Sequence, residues 1–350
     1  MSRKIRLIIA AVVLLSLIAY RQFGPRERDA EAPAAKAGSS AEASSAAPAI
    51  TRRLGRLAFT PCTLATETGT ETVEALCSQW QVPENHAVPS GRKISLAIAG
   101  LPAKGERQPD PMFMHAGGPG QSALESFPQI APAFAEVRKK RDIILVDQRG
   151  TGGSNKLICK DSRGKSAVVE DDDYGVAAAT DFARQCAADL SKKADLRFYS
   201  TTDAIQDLDD VRAAIGAEQI NLMGVSYGTR VAQQYARRYA AHTRTVTIDG
   251  IVPNSLILGN EHARNLESSL DRQFERCASD TACSENLGNP RQHLNALMTL
   301  VTDSPPMVRY RDAITGEPKE EKLTAGHIAT LARMFAYAPA VAGLLPLVLN

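Results

Sequence analysis

Short apolar runs that end at glycine-rich turns recur along the central part of the chain. Residues 93–101 alternate between apolar and polar side chains, a pattern typical of a half-buried strand. Residues 143–146 form a continuous apolar run, which predicts a strand buried on both faces. Similar patterns predict further strands over residues 75–82, 111–115, 219–223 and 245–248.

Helical periodicity separates the later strands. Apolar residues recur at helical spacing after Thr202, which we expect to cap a helix that Gly216 ends. Another helix is predicted from Thr229 to about Tyr239. Because strands and helices alternate here, the pattern predicts a parallel sheet with right-handed crossovers. From residue 255 onward helical patterns dominate, as over 261–278 and 325–337, and we predict no strand there.

The first fifty residues differ from the rest. A basic stretch at 2–6 precedes an uncharged apolar run at 7–20, the pattern of an export signal or of an uncleaved membrane anchor, while a buried core helix is the alternative. Residues 30–50 consist almost entirely of small and polar residues and cannot form a core. We therefore divide the chain into a signal or anchor (1–22), a disordered linker (23–51), a core (52–254) and an incomplete helical cap (255–350).

Composition excludes several classes of protein. The chain has 350 residues, of which 44% are hydrophobic and 23% are charged, as in folded proteins. Its 41 lysines and arginines nearly balance 39 aspartates and glutamates, and the net charge of +2 indicates no nucleic-acid partner. We expect contact with a membrane only through the N-terminal segment, in an exported protein that is periplasmic or secreted.

The cysteines fit an exported chain. There are six, without a C-x-x-C pair and without histidines at zinc-finger spacing, so the pattern does not favour a metal site. An even number in an exported protein indicates disulfides, whereas free buried thiols are the alternative. Because the cysteines form local couples, we predict the pairs Cys62–Cys77, Cys159–Cys186 and Cys277–Cys283.

The motif G-V-S-Y-G at 224–228 lies between a predicted strand and a predicted helix. In a G-x-S-x-G turn of this kind the serine is a strained, exposed nucleophile, and the flanking glycines avoid collisions with neighbouring backbone. We therefore predict Ser226 as a catalytic nucleophile. The backbone N–H of Tyr227, at the start of the helix, is predicted to stabilise an oxyanion.

Two further glycine-rich turns follow predicted strands. The sequence G-G-P-G at 117–120 is expected to supply the second oxyanion-hole N–H, from Gly118 or else from Gly117. The sequence D-Q-R-G-T-G-G-S at 147–154 matches no nucleotide-binding loop. We expect it to shape the wall of the site, with Asp147 and Arg149 as a structural ion pair.

These three turns, together with Thr229 and Arg230, resemble the α/β-hydrolase family of prolyl and tripeptidyl aminopeptidases, and most closely its exported, cysteine-containing tripeptidyl-aminopeptidase-like branch. The resemblance covers about residues 55–350. It implies an α/β-hydrolase core with a mostly parallel sheet, helices on both faces and a helical cap. It also implies cleavage of peptides near a free N-terminus, without a cofactor. One departure is that Ala116 separates His115 from the glycine-rich turn.

The general base is the missing part of the pattern. In this fold the acid and the histidine follow the serine, and the resemblance implies that they lie on two strands beyond the cap. Since no later histidine lies in a predicted strand-end loop, we expect the chain to stop inside the cap, before the last core strands. The residual candidates are Asp249 with His262 or His327. The alternative functions are therefore a non-catalytic or ligand-binding relative, or an esterase on the same fold.

Overall fold

The computed structural model describes residues 52–160, 176–311, 316–337 and 339–350. The predicted signal or anchor and the predicted linker lie outside these residues. Within the described part, no helix is both long and apolar enough to span a lipid bilayer.

An eight-stranded sheet forms the centre of the described chain, with the strand order β1-β2-β3-β4-β6-β5-β7-β8. Its strands, with a separate hairpin, are β1 (Arg52–Leu54), β2 (Leu57–Ala65), β3 (Thr72–Pro83), β4 (Lys93–Leu101), β5 (Met112–His115), β6 (Ile143–Val146), β7 (Ile220–Val225), β8 (Thr243–Asp249), β9 (Met307–Arg311) and β10 (Pro318–Lys322). β1 to β4 and the β4–β6 pair are antiparallel, whereas β6, β5, β7 and β8 are mutually parallel. The α/β-hydrolase fold predicted from the sequence is confirmed, and its parallel part carries the candidate site.

Helices cover both faces of this sheet. The helices of the described residues are α1 (Ala123–Ile130), α2 (Val176–Ser191), α3 (Thr201–Ile215), α4 (Tyr227–Arg238), α5 (His262–Ser279), α6 (Thr281–Leu287), α7 (Pro290–Asp303), α8 (Ala325–Tyr337), α9 (Pro339–Ala342) and α10 (Leu345–Leu349). α3 and α4 pack on one face, where Val211 and Tyr235 are fully buried against β-strand residues. α1 packs on the other face, where Phe127 is fully buried. Two layers of helices therefore enclose β5, β6 and β7, which explains why β6 is apolar at every position, whereas the edge strand β8 is mostly exposed.

The C-terminal region forms a small core of its own. Leu270 and Phe274 of α5 pack with Leu294 and Val301 of α7 and with Ile328 of α8. The helices predicted over 261–278 and 325–337 are present as α5 and α8.

The prediction that this region contains no strand is wrong, because β9 and β10 form an antiparallel hairpin there. All of its residues but one are exposed, and Arg309 pairs with Glu320 across the strands. Such a polar hairpin lacks the apolar alternation from which strands are predicted.

The three predicted disulfides are confirmed: Cys62–Cys77, Cys159–Cys186 and Cys277–Cys283. The first joins β2 to β3, the second joins the segment after residue 154 to α2, and the third joins α5 to α6. No cysteine of the chain is free. Disulfides of this kind persist in oxidising compartments.

The start of α3 differs from its prediction. Ser200, rather than Thr202, caps the helix, and its hydroxyl accepts the Asp203 N–H while the Asp203 carboxylate accepts the Ser200 N–H. This reciprocal capping box satisfies two backbone donors, which a cap at Thr202 could not do. The end of the helix is as predicted, because Gly216 adopts the left-handed conformation with φ of 77°.

Candidate active site

Ser226 lies on the sharp turn between β7 and α4, in the strained conformation expected of a nucleophile. Its φ is 54° and its ψ is −121°, values that are rare for a residue with a side chain. Its backbone N–H donates to the Asp249 carbonyl oxygen at 2.8 Å, which ties the turn to the end of the neighbouring strand β8. The turn therefore holds the serine at the carboxyl end of the parallel sheet, half-buried and with its hydroxyl unused by any described residue.

The two glycines of the motif allow this turn to exist. A Cβ at Gly224 would lie 2.3 Å from the Gly228 carbonyl oxygen, and a Cβ at Gly228 would lie 2.3 Å from the His115 carbonyl oxygen. Contacts of this length do not occur between real atoms. The glycines let α4 approach both β7 and β5 closely, as predicted from the G-x-S-x-G pattern.

The residues after the motif anchor the chain that follows β8. The Thr229 hydroxyl donates to the Ser226 carbonyl at 2.6 Å and accepts the Val252 N–H at 2.8 Å. The Arg230 guanidinium donates to the carbonyls of Leu256 and of a nearby asparagine at 2.8 and 2.9 Å. Both side chains thus link the serine turn to the segment that leads into the C-terminal helices.

The glycine-rich turn after β5 lies directly against the nucleophile. A Cβ at Gly117 would be 3.1 Å from the Ser226 Cβ, a tight contact that glycine avoids. Gly118 has φ of 104°, and a Cβ there would lie 2.7 Å from the Gly120 nitrogen. The backbone at 117–118 therefore faces the serine closely enough to supply an oxyanion donor, and which N–H donates stays a prediction.

The N–H of Tyr227 is the other predicted donor. Tyr227 is the first residue of α4, where backbone N–H groups have no partner within the helix. Its ring is buried and its hydroxyl lies 2.5 Å from the Thr201 hydroxyl, so the residue is fixed at both ends. The positive end of the α4 dipole adds to the stabilisation of a negative charge beside Ser226.

The prediction that Asp147 and Arg149 pair with each other is wrong. The Asp147 carboxylate accepts the Ser122 hydroxyl at 2.7 Å, the Leu124 N–H at 3.1 Å and the Gly153 N–H at 2.8 Å. Ser122 in turn caps α1. Asp147 therefore joins the turn at 117–120, through the start of α1, to the turn at 150–154. The serine followed three positions later by Glu125 is the capping signal that could have identified Ser122 from the sequence.

Arg149 pairs instead with Asp207 of α3. The guanidinium, which is fully buried, donates to both carboxylate oxygens at 2.6 Å, and it also donates to the carbonyls of Glu84 and Phe198. A bidentate buried pair of this kind fixes α3 against the end of β6. Its role is structural, as expected, although its partner lies 58 residues along the chain.

Residues that could bind a metal are present near this pair. His86, Asp207 and Asp210 offer ligand atoms within 4.8 Å of one another. However, an Nη of Arg149 lies 2.6 Å from the Asp207 carboxylate and 3.0 Å from the His86 Nε2. The guanidinium already places a cation among these groups, so their arrangement does not favour a metal ion.

His115 ends β5 and its backbone lies against Gly228 of the serine turn, yet the surroundings of its side chain do not suit a general base. Its imidazole is buried at the end of β5, and burial lowers its pKa to about 4. Its Nε2 has no hydrogen-bond partner in the described part of the chain. The imidazole is therefore neutral at physiological pH and serves as part of the packing beneath the turn at 117–120.

The residual acid and base candidates are not assembled around Ser226 in the described residues. The backbone carbonyl of Asp249 accepts the Ser226 N–H and so lies beside the turn. The exposed carboxylate of Asp249 contacts none of the described histidines. His262 is exposed at the start of α5. The His327 Nδ1 instead lies 3.0 Å from the Thr324 hydroxyl and accepts the Thr324 N–H, an interaction at a helix start. Their catalytic roles stay predictions.

The arrangement combines a strained, half-buried serine with glycine backbone on one side and a helix N-terminus on the other. A family model described as the α/β-hydrolase fold matches residues 110–285, half of the chain. The chain therefore belongs to the α/β-hydrolase family.

Among the curated relatives, the serine protease Hip1 of Mycobacterium tuberculosis is 27% identical over 289 residues, which cover 74% of this chain and 55% of Hip1. The tripeptidyl aminopeptidase of Streptomyces lividans is 30% identical over 189 residues, which cover 50% of this chain and 35% of that protein. The chain thus spans about half the length, or less, of these relatives. Among solved structures, a proline iminopeptidase of Mycobacterium smegmatis is 16% identical, with a TM-score of 0.37. The match covers 64% of this chain and 56% of the iminopeptidase chain.

Proposed function

We propose that this chain carries the nucleophile of an exported serine hydrolase that removes short peptides or single residues from the free N-termini of peptides. The observation that carries the proposal is the strained turn at Ser226, which lies against the glycine backbone at 117. Similarity to a serine protease and to a tripeptidyl aminopeptidase supports the peptide substrate. The disulfides support an oxidising compartment.

The proposed reaction proceeds through an acyl-enzyme. The Ser226 hydroxyl oxygen attacks the carbonyl carbon of the scissile amide, and the N–H groups of Tyr227 and Gly118 stabilise the negative oxygen that forms. The C–N bond then breaks, and the amine leaves with a proton. Water attacks the resulting ester, which releases the N-terminal fragment as an acid and restores the serine.

The serine proton requires an acceptor, because a serine hydroxyl alone is a weak nucleophile. Asp249 with His262 or His327 is the proposal for this role within the present sequence. Without a base, the oxyanion hole and substrate binding alone still leave about 10³–10⁴-fold catalysis over water in serine hydrolases. A second candidate function, a non-catalytic ligand-binding relative, is favoured by the lack of contact between Ser226 and any described histidine.

The test uses fluorogenic peptide amides with a free N-terminus, matched N-acetylated peptides, and a short-chain ester. The proposal expects release of the fluorophore from the free peptide, little release from the acetylated one, and no activity in Ser226→Ala. Turnover of the ester without peptide cleavage would make the protein an esterase instead. Lack of turnover of every substrate by folded protein would favour the ligand-binding alternative.

A further inference from the structure

A cavity of the described chain lies at the opposite end of the parallel strands from Ser226. Its volume is about 300 Å³, within the range of small-ligand pockets. Its lining includes the first residue of β5, the second residue of β7, Asn221, and Arg244 near the start of β8. Since these strands are parallel, the cavity lies at their amino ends. Along β7, Asn221 and Ser226 are five residues apart, or roughly 16 Å.

The charged side chains that line this cavity are mostly cationic. They are Lys139, Lys140, Arg141 and Arg244, with Glu136 as the one lining acid of the described chain. Lys139 already pairs with Glu136 at 2.7 Å, and Arg141 pairs with Asp110 behind the cavity at 2.6 Å. Lys140 has no carboxylate partner among the described residues. The Arg244 Nε lies 3.4 Å from the Asp110 carboxylate, which Arg141 already contacts. Two positive charges are therefore left in excess.

A polar network around the buried Asn221 holds the two guanidiniums in place. Asp110 accepts the Arg141 Nε–H at 2.6 Å and the Asn221 side-chain N–H at 2.7 Å. The Asn221 side-chain oxygen accepts an Nη–H of Arg244 at 2.9 Å and the Thr245 hydroxyl at 2.6 Å. Asn221, at the centre of the network, is 1% exposed, whereas the side chains of Arg141 and Arg244 reach the surface and are 24% and 46% exposed.

The anchoring contacts leave donors for a ligand. Among the described residues, Arg141 uses only its Nε and Arg244 uses its Nε and one Nη, so both terminal nitrogens of Arg141 and the other Nη of Arg244 have no protein partner. Guanidiniums fixed in this way are suited to an anion with several acceptor oxygens. A phosphate monoester carries about two negative charges and three acceptor oxygens, which matches the excess of charge, whereas the phosphodiester of a lipid head group carries one negative charge and two free acceptor oxygens. Met112 and Val137, also in the lining, can contact an attached carbon chain.

We propose that this cavity, which we call the basic pocket, binds a phosphoryl group, carried either by a small phosphate ester or by the head group of a phospholipid. The site is separate from the serine turn and requires no change in the proposed hydrolysis. Occupancy would link the amino ends of β5, β7 and β8 to the segment at 136–141.

The test compares the unsubstituted 350-residue chain with two double variants. Lys140→Gln with Arg244→Gln removes the excess charge of the basic pocket, whereas Lys192→Gln with Arg237→Gln removes two exposed cations that do not line it. The soluble probes are inorganic phosphate and glycerol 1-phosphate in calorimetric titrations. The membrane probes are vesicles of phosphatidylglycerol, compared with phosphatidylcholine vesicles in co-sedimentation. Equal urea midpoints of the variants establish that they fold.

We expect a Kd tighter than about 1 mM for at least one phosphate probe, weakened at least about tenfold in the pocket variant and unchanged in the control. Lys140→Gln alone, which breaks no contact among the described residues, is expected to give a smaller loss in the same direction. Binding of glycerol 1-phosphate identifies a small ester as the source, and binding of phosphatidylglycerol vesicles alone identifies a head group. The proposal is overturned if no probe binds, or if the pocket variant binds as the control does.

Discussion

The replacement Gly228→Ala tests the packing that positions the nucleophile. A methyl group at this position would lie 2.3 Å from the His115 carbonyl oxygen and 2.7 Å from that of Ala116. Both oxygens belong to backbone at the end of β5, which is held between β6 and β7. Because no flexible side chain can move aside, α4 must shift away from the sheet by about 1 Å to reach ordinary contact distance.

The expected cost follows from two opposing effects. Overpacking a close backbone contact destabilises by about 1–3 kcal/mol, and the upper end applies because both contacts are to backbone. Alanine gains about 1 kcal/mol over glycine in helix propensity. We therefore expect a net loss of about 2 kcal/mol in the free energy of unfolding. The shift also moves Ser226, so its rate of reaction with a serine-directed probe should fall.

Urea unfolding followed by far-UV circular dichroism measures this loss. Gly343→Ala is the matched control, because a Cβ there meets no atom within 4 Å and the backbone is not left-handed. We expect the control to stay within about 0.5 kcal/mol of the wild type. If Gly228→Ala is as stable as Gly343→Ala, α4 does not lie as close to β5 as the structure shows.

Three further predictions concern other parts of the fold. Arg149→Met leaves the Asp207 carboxylate buried without its partner and should cost about 3–5 kcal/mol in urea unfolding, whereas an unchanged midpoint would refute the buried pair. Burial lowers the pKa of His115 to about 4, so the native state resists a proton that the unfolded state accepts below about pH 6.5. The free energy of unfolding should therefore decrease by up to about 3 kcal/mol as the pH is lowered from about 6.5 to about 4, and by less in His115→Gln. Replacing Cys62 and Cys77 together by alanine opens a loop of 15 residues and should cost about 3 kcal/mol, which calorimetry in the absence of reductant measures.

Local patterns were sufficient to predict the strands and the turn that carry the nucleophile. The apolar run at 143–146 and the G-x-S-x-G motif depend on burial and on backbone geometry, which neighbouring residues determine. The cysteine couples were predictable for the same reason, since the partners are close in sequence. The partners of Asp147 and Arg149 were not, because Ser122 and Asp207 lie in other elements and meet them only in the folded chain.

Strand β2 shows a second reason why part of the fold could not be predicted from the sequence. Pro61 lies in the middle of this strand, and proline is expected to exclude an interior strand. The short strand β1 pairs only with residues 57–59 of β2, so Pro61 lies where that side of the sheet is open. The missing N–H therefore costs no hydrogen bond to β1, which could be recognised only from the pairing of the strands.

Labelling of Ser226 by a fluorophosphonate probe tests the central claim most directly. The full chain is incubated with the probe, digested and analysed by mass spectrometry, with Ser226→Ala as the control and with heat-unfolded protein as a second control. The account predicts a covalent adduct on Ser226 in the folded protein alone. Well-folded protein that acquires no adduct at Ser226, or acquires it equally after unfolding, would contradict the assignment of this residue as an activated nucleophile.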